Sequence, residues 1–417
     1  MSPSQPDGIA WPADGSVDPV LVESESDRPL SLYVHVPFCR VRCGYCDFNT
    51  YTTGFGPGAE PGAYASSVLT EANLATSILE RAGMPARPAS TVFFGGGTPT
   101  MLDAGELGAI LAGLRDSFGI AEGAEITTEA NPDTVDHRTL QALADAGFTR
   151  ISFGMQSAVP HVLRTLDRTH DPRKVPEVVD AARAVGLDVS VDLIYGTPGE
   201  TLSDWRRSLE SALEMNPDHI SAYALVIEEG TKMWGQVSRG ELPTPEPDDE
   251  AAKYEIADDV LAEAGYRWYE ISNFARVDED EADIPAAQLR HASRHNLAYW
   301  HDWDWWGLGP GAHSHIGRYR WWNAKHPLAY AGRVSGGASP ASAGEVLDAD
   351  TRSLETVLLN IRTAEGVAIG DAVCPDTVDE LVADGLIEEA SLRRGRVILT
   401  LRGRLLADRV TGKLMGF

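Results

Sequence analysis

Cysteine is scarce in this chain, with four in 417 residues, and that scarcity excludes a disulfide-stapled fold. Positive charge is also in short supply. Lys and Arg number 35 against 62 Asp and Glu, a formal net charge of -27, so no broad basic face is available for nucleic acid or anionic lipid. No apolar run approaches the roughly 20 residues that a membrane span requires. Residues 1–28 have neither a basic start nor an apolar stretch, which excludes a secretion signal or transit peptide. They are rich in Pro, Asp, Glu and Ser and are expected to form a disordered acidic tail. Without an export signal, the cytoplasm is the expected compartment.

What is present begins at Leu30, where one pattern starts to repeat. Short β-branched or aromatic runs predict strands at Leu32–Pro37, Thr91–Phe94, Glu125–Thr128, Arg150–Phe153, Asp188–Ile194 and His219–Val226. Ala/Leu-rich segments of helical period predict helices over Ala63–Arg81, Asp103–Phe118, Asp136–Ala146, Arg173–Val185, Leu202–Met215 and Pro247–Ala264. Alternation at this spacing means parallel βαβ units, and six of them predict an α/β fold, a partial (β/α)6 barrel over 29–265, with a doubly wound open sheet as the alternative. Each predicted strand runs directly into a polar or glycine signature. These are the cysteines from Cys39 to Cys46, Gly95-Gly-Gly-Thr98-Pro, Glu129-Ala-Asn-Pro132, Gly154-Met-Gln156-Ser, Asp192 with Tyr195-Gly-Thr-Pro-Gly199, and Glu228-Glu-Gly-Thr231. In a barrel all six lie at the C-terminal ends of the strands, where ligands bind.

Beyond the barrel, residues 266–345 form an extension. It holds a predicted strand at Tyr269–Phe274, an acidic run Asp278–Asp283 expected to be mobile, and an aromatic block from His295 to Trp322. Residues 346–417 are expected to form a C-terminal α+β domain of winged-helix type, with helices Leu354–Arg362 and Asp376–Asp384, a hairpin Leu392–Leu399 and a last segment Arg404–Lys413. Cys374, followed by Pro375, is expected to be a buried small hydrophobe at the start of a helix.

Three of the four cysteines fall within eight residues, as Cys39-x3-Cys43-x2-Cys46. Three thiolates leave one tetrahedral position unfilled. Zinc would want a fourth Cys or His and a paired C-x2-C pattern, and a ferredoxin-type carrier would use four cysteines at other spacings. A third reading is an iron–sulfur cluster with one iron not held by the protein.

Cys39, Cys43 and Cys46, with Tyr45 before the last, and Gly95-Gly-Gly-Thr98-Pro resemble the radical S-adenosylmethionine (SAM) superfamily. The resemblance implies a [4Fe-4S] cluster on the three cysteines, with SAM chelating the fourth iron, and cleavage of SAM to a 5′-deoxyadenosyl radical on reduction. Leu-Tyr33-Val-His35-Val-Pro-Phe-Cys39, Glu129-Ala-Asn-Pro132, Gly-Met-Gln156-Ser, Arg168-Thr-His170 and Asp192-Leu-Ile-Tyr-Gly-Thr-Pro-Gly-Glu-Thr201 narrow it to the coproporphyrinogen-dehydrogenase-like subgroup. By that resemblance Tyr33, Tyr45, Gly96, Gly97, Thr98, Glu129, Gln156, Arg168, Asp192 and Val226 contact SAM. Glu129 or Asp192 suits ribose hydroxyls, and Arg168 suits a carboxylate.

Two places separate the subgroup's oxygen-independent dehydrogenase from its haem chaperone. The dehydrogenase has a further cysteine two residues after the third cluster cysteine, where this chain has Phe48, and a long N-terminal extension. His295-Asn-Leu-Ala-Tyr299-Trp300 resembles the HNxxYW signature of the haem-chaperone branch, in which the histidine is implicated in haem binding. The resemblance therefore implies a chaperone that holds haem through His295, with His291, His301, His313 and His315 as rival ligands, and passes it to an acceptor haem protein of the respiratory chain. Trp303, Trp305, Trp306, Trp321 and Trp322 would supply aromatic surface, and homodimerisation is also implied. A radical SAM tetrapyrrole enzyme is the runner-up; a zinc-loop binding protein is the third reading.

Overall fold

The computed structural model describes residues 7–23, 27–54, 61–371 and 375–416. Cys374 lies outside the described residues. Thirteen strands share one sheet: β1 (Ile9–Ala10), β2 (Leu30–Val36), β3 (Ala89–Gly96), β4 (Ile120–Ala130), β5 (Arg150–Gln156), β6 (Asp188–Tyr195), β7 (His219–Ala224), β8 (Tyr266–Glu270), β9 (Asn273–Arg276), β10 (Asp304–Leu308), β11 (His313–Ile316), β12 (Tyr319–Asn323) and β13 (Ala341–Val346). Their order across the sheet is β1-β13-β12-β11-β10-β2-β3-β4-β5-β6-β7-β9-β8.

The six strands from β2 to β7 are parallel and adjacent in sequence order. Parallel neighbours require crossovers, supplied by α1 (Tyr64–Arg81), α2 (Ala104–Phe118), α3 (His137–Ala146), α4 (Lys174–Ala184) and α5 (Leu202–Glu214), with α6 (Pro247–Glu263) after β7. The helices begin where the sequence places caps. Asp103 and Glu106 form a capping box for α2, Thr201 and Asp204 form one for α5, and Asp136 accepts from Thr139 N–H in α3. Such caps satisfy backbone donors that the first helical turn leaves free.

The barrel stays open. β2 takes β10 as its outer neighbour, in parallel, and β7 takes β9, antiparallel. The segment 266–345 therefore extends both edges of the barrel sheet. The single strand expected at Tyr269–Phe274 is instead the antiparallel hairpin β8–β9. Trp306, Trp321 and Trp322 are buried in this extension, so they are core and not a surface for a flat ligand. The Asp278–Asp283 run is held by a 3-10 turn at Glu279–Glu281 and by ion pairs from Asp278 to Arg276 and Arg290.

The expectation of a disordered tail over 1–28 fails for the described residues. β1 pairs with β13, Trp11 stacks on Trp321 at 5.1 Å, and Val22 is buried in the main core. Two large apolar side chains outweigh the polar composition around them.

The chain continues through α7 (Arg294–Trp300) and α8 (Pro327–Ser335) to the C-terminal helices α9 (Ala349–Asn360), α10 (Pro375–Ala383) and α11 (Ala407–Met415). These last three surround an apolar cluster of their own that includes Val357, Ile361, Leu381, Val410 and Leu414. The hairpin expected at Leu392–Leu399 is wider than its predicted bounds: Ile387 pairs antiparallel with Leu399, Glu388 N–H donates to Ile398 O and Thr400 N–H to Leu386 O. Arg396–Val397 pairs with the distant Val367–Ala368, and Glu389–Leu392 is a helical turn. Arg404 ties this unit to the barrel, 2.6 Å from Asp258 and stacked over Trp268.

Candidate functional site

The cysteine loop follows β2 and is pinned at both ends. Phe38–Cys39 pairs with Tyr51–Thr52, and Thr53 N–H donates to Cys39 O at 3.0 Å. Gly44 N–H donates to Leu166 O, and Met233 N–H donates to Gly44 O. The glycine loop after β3 lies against it: Gly97 N–H donates to Val36 O and Thr98 N–H to Phe38 O, both at 2.8 Å. Two glycines are obligatory there. Gly96 has φ +109°, and a Cβ would stand 2.6 Å from the His35 ring; at Gly97 it would stand 2.7 Å from Phe38 O. His35 itself is a structural group. Its nitrogens meet Tyr33 Oη and Asn49 O, both at 3.0 Å, and burial pulls its pKa down to about 4.

Cys39, Cys43 and Cys46 line a cavity of about 440 Å³ inside the barrel mouth. Tyr45, Gly96, Gly97, Thr98, Glu129, Gln156, Arg168, Asp192 and Val226 line it too, so nine of the ten residues expected to contact SAM come together. Tyr33 is the exception. It is not among the lining residues; it stacks on Phe93 with ring centroids 6.4 Å apart. Val226 is 64% exposed at the rim, which rules out a core role. Phe48 is 56% exposed at the same mouth.

The electrostatics of the cavity are those of charges held away from water. Burial, with Asp192 beside it, raises the Glu129 carboxyl to about 8, and Gly96 N–H donates to its Oε2 at 3.1 Å. Burial also raises Asp192, against hydrogen bonds from Ser221 and Ser152. Arg168 donates from Nη2 to Gly154 O at 2.7 Å, its Nη1 lies 3.6 Å from Cys43 Sγ, and its buried Nε has no partner among the described residues. Gln156 holds φ +63° at the bulge that ends β5, a strained position of the kind found at ligand sites. Burial, with Cys46 next to it, pushes the Cys39 thiol up to about 12, so a metal that takes it as thiolate must displace a proton.

The donor set fits a cluster better than a single ion. A tetrahedral zinc with Zn–S bonds of about 2.3 Å needs sulfurs about 3.8 Å apart. Among the described residues, the one set of three ligating groups within 4.8 Å of one another is Asp188, Asp218 and His291, not the cysteines. Three separated thiols facing a cavity with a glycine cradle and an unsatisfied guanidinium suit a larger cluster and a polar organic ligand.

The barrel interior contains residues that the loop signatures did not flag. Thr127 and Glu129, Arg150 and Ser152, Ser190 and Asp192, and His219, Ser221 and Tyr223 all line the cavity. Each set alternates along its strand, so a period-2 reading from Glu129 and Asp192 finds Thr127 and Ser190, while β5 and β7 show the same alternation.

His295 lies at the other end of the barrel. α7 closes its foot, with Ser293 and Asn296 at the cavity floor. The Glu125 carboxylate accepts from the N–H groups of Arg294 and His295 at 3.1 and 3.0 Å, a negative charge on the positive end of the helix. His295 is 1% exposed; its Nδ1 meets Thr91 Oγ1 at 2.8 Å and its Nε2 meets Tyr299 Oη at 3.1 Å. The ring stacks on Phe93 at 4.9 Å, and burial lowers its pKa to about 4. Of the rivals, His291 and His315 are buried, His301 bonds Glu365 at 2.7 Å, and His313 is exposed.

Residues 33–212 match the Radical SAM superfamily. The chain is 43% identical to the haem chaperone HemW of Mycobacterium tuberculosis (strain ATCC 25618 / H37Rv), over 93% of this chain and 95% of that protein. It is 31% identical to HemW of Bacillus subtilis (strain 168), over 93% and 99%. It is 33% identical to the mitochondrial radical S-adenosyl methionine domain-containing protein 1 of Bos taurus, over 90% and 76%. Among solved structures, coproporphyrinogen III oxidase (HemN) from Escherichia coli superposes with a TM-score of 0.78 at 24% identity, covering 97% of this chain and 96% of that one; this likeness concerns the fold.

Proposed function

Because the chain belongs to the radical SAM superfamily and, within it, to the HemW family, we propose that it binds haem and delivers it to an acceptor haem protein. The observation that carries this reading is the near-full-length likeness to proteins named haem chaperones. Phe48 supports it, standing at the mouth of the cavity where the dehydrogenase pattern has a further cysteine. An acceptor in the respiratory chain, a homodimeric state and a cytoplasmic location belong to the same proposal. Among the described residues no helix is long and apolar enough to cross a membrane.

Cys39, Cys43 and Cys46 would hold the [4Fe-4S] cluster, and Gly96, Gly97, Thr98, Glu129, Gln156, Arg168 and Asp192 would hold SAM over it. When bound, the pair supplies one-electron chemistry or a structural and regulatory anchor. Arg168 offers the free Nε to an anionic group, and Glu129 and Asp192 offer acceptors for hydroxyls. In this reading the cavity walls are committed to the cluster and SAM, and haem docks outside the barrel interior. Ligation by His295 then requires its ring to leave the Phe93 stack and two hydrogen bonds. His313 already has an exposed side chain, at the start of β11.

The test is a haem titration followed by the Soret band on wild type, His295→Ala and His313→Ala, with folding checked by circular dichroism. Loss of the band in His313→Ala alone would move the ligand there; loss in folded His295→Ala would place it in α7. Turnover of coproporphyrinogen III by the reduced, SAM-loaded protein would sink the chaperone reading in favour of the dehydrogenase.

A further inference from the structure

The foot of the barrel holds a second set of ligating groups, remote from the cysteines. Asp188 opens β6, Asp218 immediately precedes β7, and His291 lies just ahead of α7; one ligand atom from each falls within 4.8 Å of the other two. His291 is 5% exposed, and its Nδ1 has no hydrogen-bond partner among the described residues. That nitrogen stands 3.8 Å from Asp218 Oδ1 and 3.9 Å from Asp188 Oδ2. Its other nitrogen, Nε2, lies 3.2 Å from Asp278 Oδ2 and 3.1 Å from Arg276 Nη2.

These contacts define two states of the ring. In one, Nε2 accepts from Arg276 and Nδ1 carries the proton. In the other, Nε2–H donates to Asp278, and Nδ1 turns a lone pair toward two carboxylate oxygens. That lone pair and the two carboxylate oxygens then repel one another, offset only by Arg276 Nη2, 2.8 Å from Asp218 Oδ1, and by Arg150 Nη2, 3.8 Å from Asp188 Oδ2. A metal-bound histidine characteristically donates its second N–H to a carboxylate, which is the place Asp278 occupies. Separations of 3.8 and 3.9 Å exceed by about half an ångström the ~3.4 Å edge of a tetrahedron with bonds of about 2.0–2.1 Å. The surrounding charge favours a cation. Glu125, Asp188, Asp218 and Asp278 meet only Arg150, Arg276 and the exposed Arg290. The Asp188 side chain is 44% exposed, which gives an ion a way in.

We propose that Asp188, Asp218 and His291 bind a divalent first-row cation, zinc foremost from the imidazole and carboxylate set. The ion would clasp the segment ahead of α7 to the starts of β6 and β7.

The experiment uses the full chain in two forms. In the Cys39→Ser/Cys43→Ser/Cys46→Ser variant, which removes thiolate competitors, cobalt(II) is added and followed by visible absorption. In the cluster-loaded protein, zinc retained after dialysis is measured by elemental analysis. The expected result is one ion per chain, a cobalt spectrum without a thiolate charge-transfer band, and loss of both in His291→Gln. Asp188→Asn, at a half-exposed position, should fold normally and bind at least tenfold more weakly. Zinc should raise the melting temperature of the parent and not of either variant. Absence of retained metal, or binding unchanged in both variants, would overturn the proposal.

Discussion

At Gly96 the chain turns to φ +109° with the His35 ring where a side chain would go. Gly96→Ala should therefore cost about 2 kcal/mol in backbone strain alone and lower SAM affinity, read by thermal melting and calorimetric titration. Arg168→Met removes the buried guanidinium that reaches Gly154 O and lies beside Cys43. SAM affinity should fall at least tenfold, since a charge-assisted hydrogen bond contributes about 1.5–3 kcal/mol, while iron content stays the same. Residue types at strand ends made most of this site legible, because a glycine run or an arginine after a strand has few other uses. His295 was harder to read. Its identity and neighbours say nothing about which end of a barrel a helix caps; the contacts of Arg294 and His295 with Glu125 and of His295 with Thr91 settle that.

Among the elements, α1 carries an unusual burden. Glu71 is buried, accepting from Tyr330 Oη at 2.5 Å on α8, Asn323 Nδ2 at 2.8 Å and Gly309 N–H at 2.8 Å. Burial raises its pKa from 4.5 to about 7 despite these donors. A folded value above the unfolded one means the protonated form is the one folding favours. The contribution of Glu71 is thus whole below about pH 4.5 and is lost as pH rises to about 7. Glu71→Gln should flatten that part of the stability–pH curve, measured by denaturant unfolding across the window. In α7, His295→Ala would strand the Tyr299 hydroxyl, leave Thr91 Oγ1 with Ser31 Oγ alone at 3.0 Å, and open a void against Phe93. A loss of about 2–4 kcal/mol is expected, read as a lower melting temperature whether or not haem is present. The starts of the six barrel helices were legible to within a residue, helped by the capping side chains Asp103, Asp136 and Thr201, whereas α9 begins at Ala349, ahead of the expected Leu354. The hairpin β8–β9 and the ribbon between Val367–Ala368 and Arg396–Val397 were not. Their pairing is set by tertiary contact, and strands this short carry too little periodicity to show a turn.

In the whole molecule, the barrel sheet is continued on both flanks by segments that composition alone assigns to separate regions. Polar averaging hid the role of residues 7–23, where Trp11 packs on Tyr319 and Trp321 of β12 and Val22 joins the main core. Deleting residues 1–23 should lower the melting temperature and unstack Trp321, seen as a change in tryptophan fluorescence. The (β/α)6 core was legible because six strand-then-helix units permit few arrangements.

The parallel pairing of β10 with β2 has a consequence in time. Asp304 sits opposite Leu30, with Trp306 opposite Leu32, so the strand leading into the cysteine loop waits for a partner made some 270 residues later. At about 5–20 residues per second on a ribosome, its outer edge stays unpaired for roughly 15–55 s, an invitation to misassembly. Nascent chains ending near residue 300 should be cut readily by protease around 30–50, and chains extended past 346 should resist. Iron loading would then follow synthesis, once the first strand of the barrel has met one of its last.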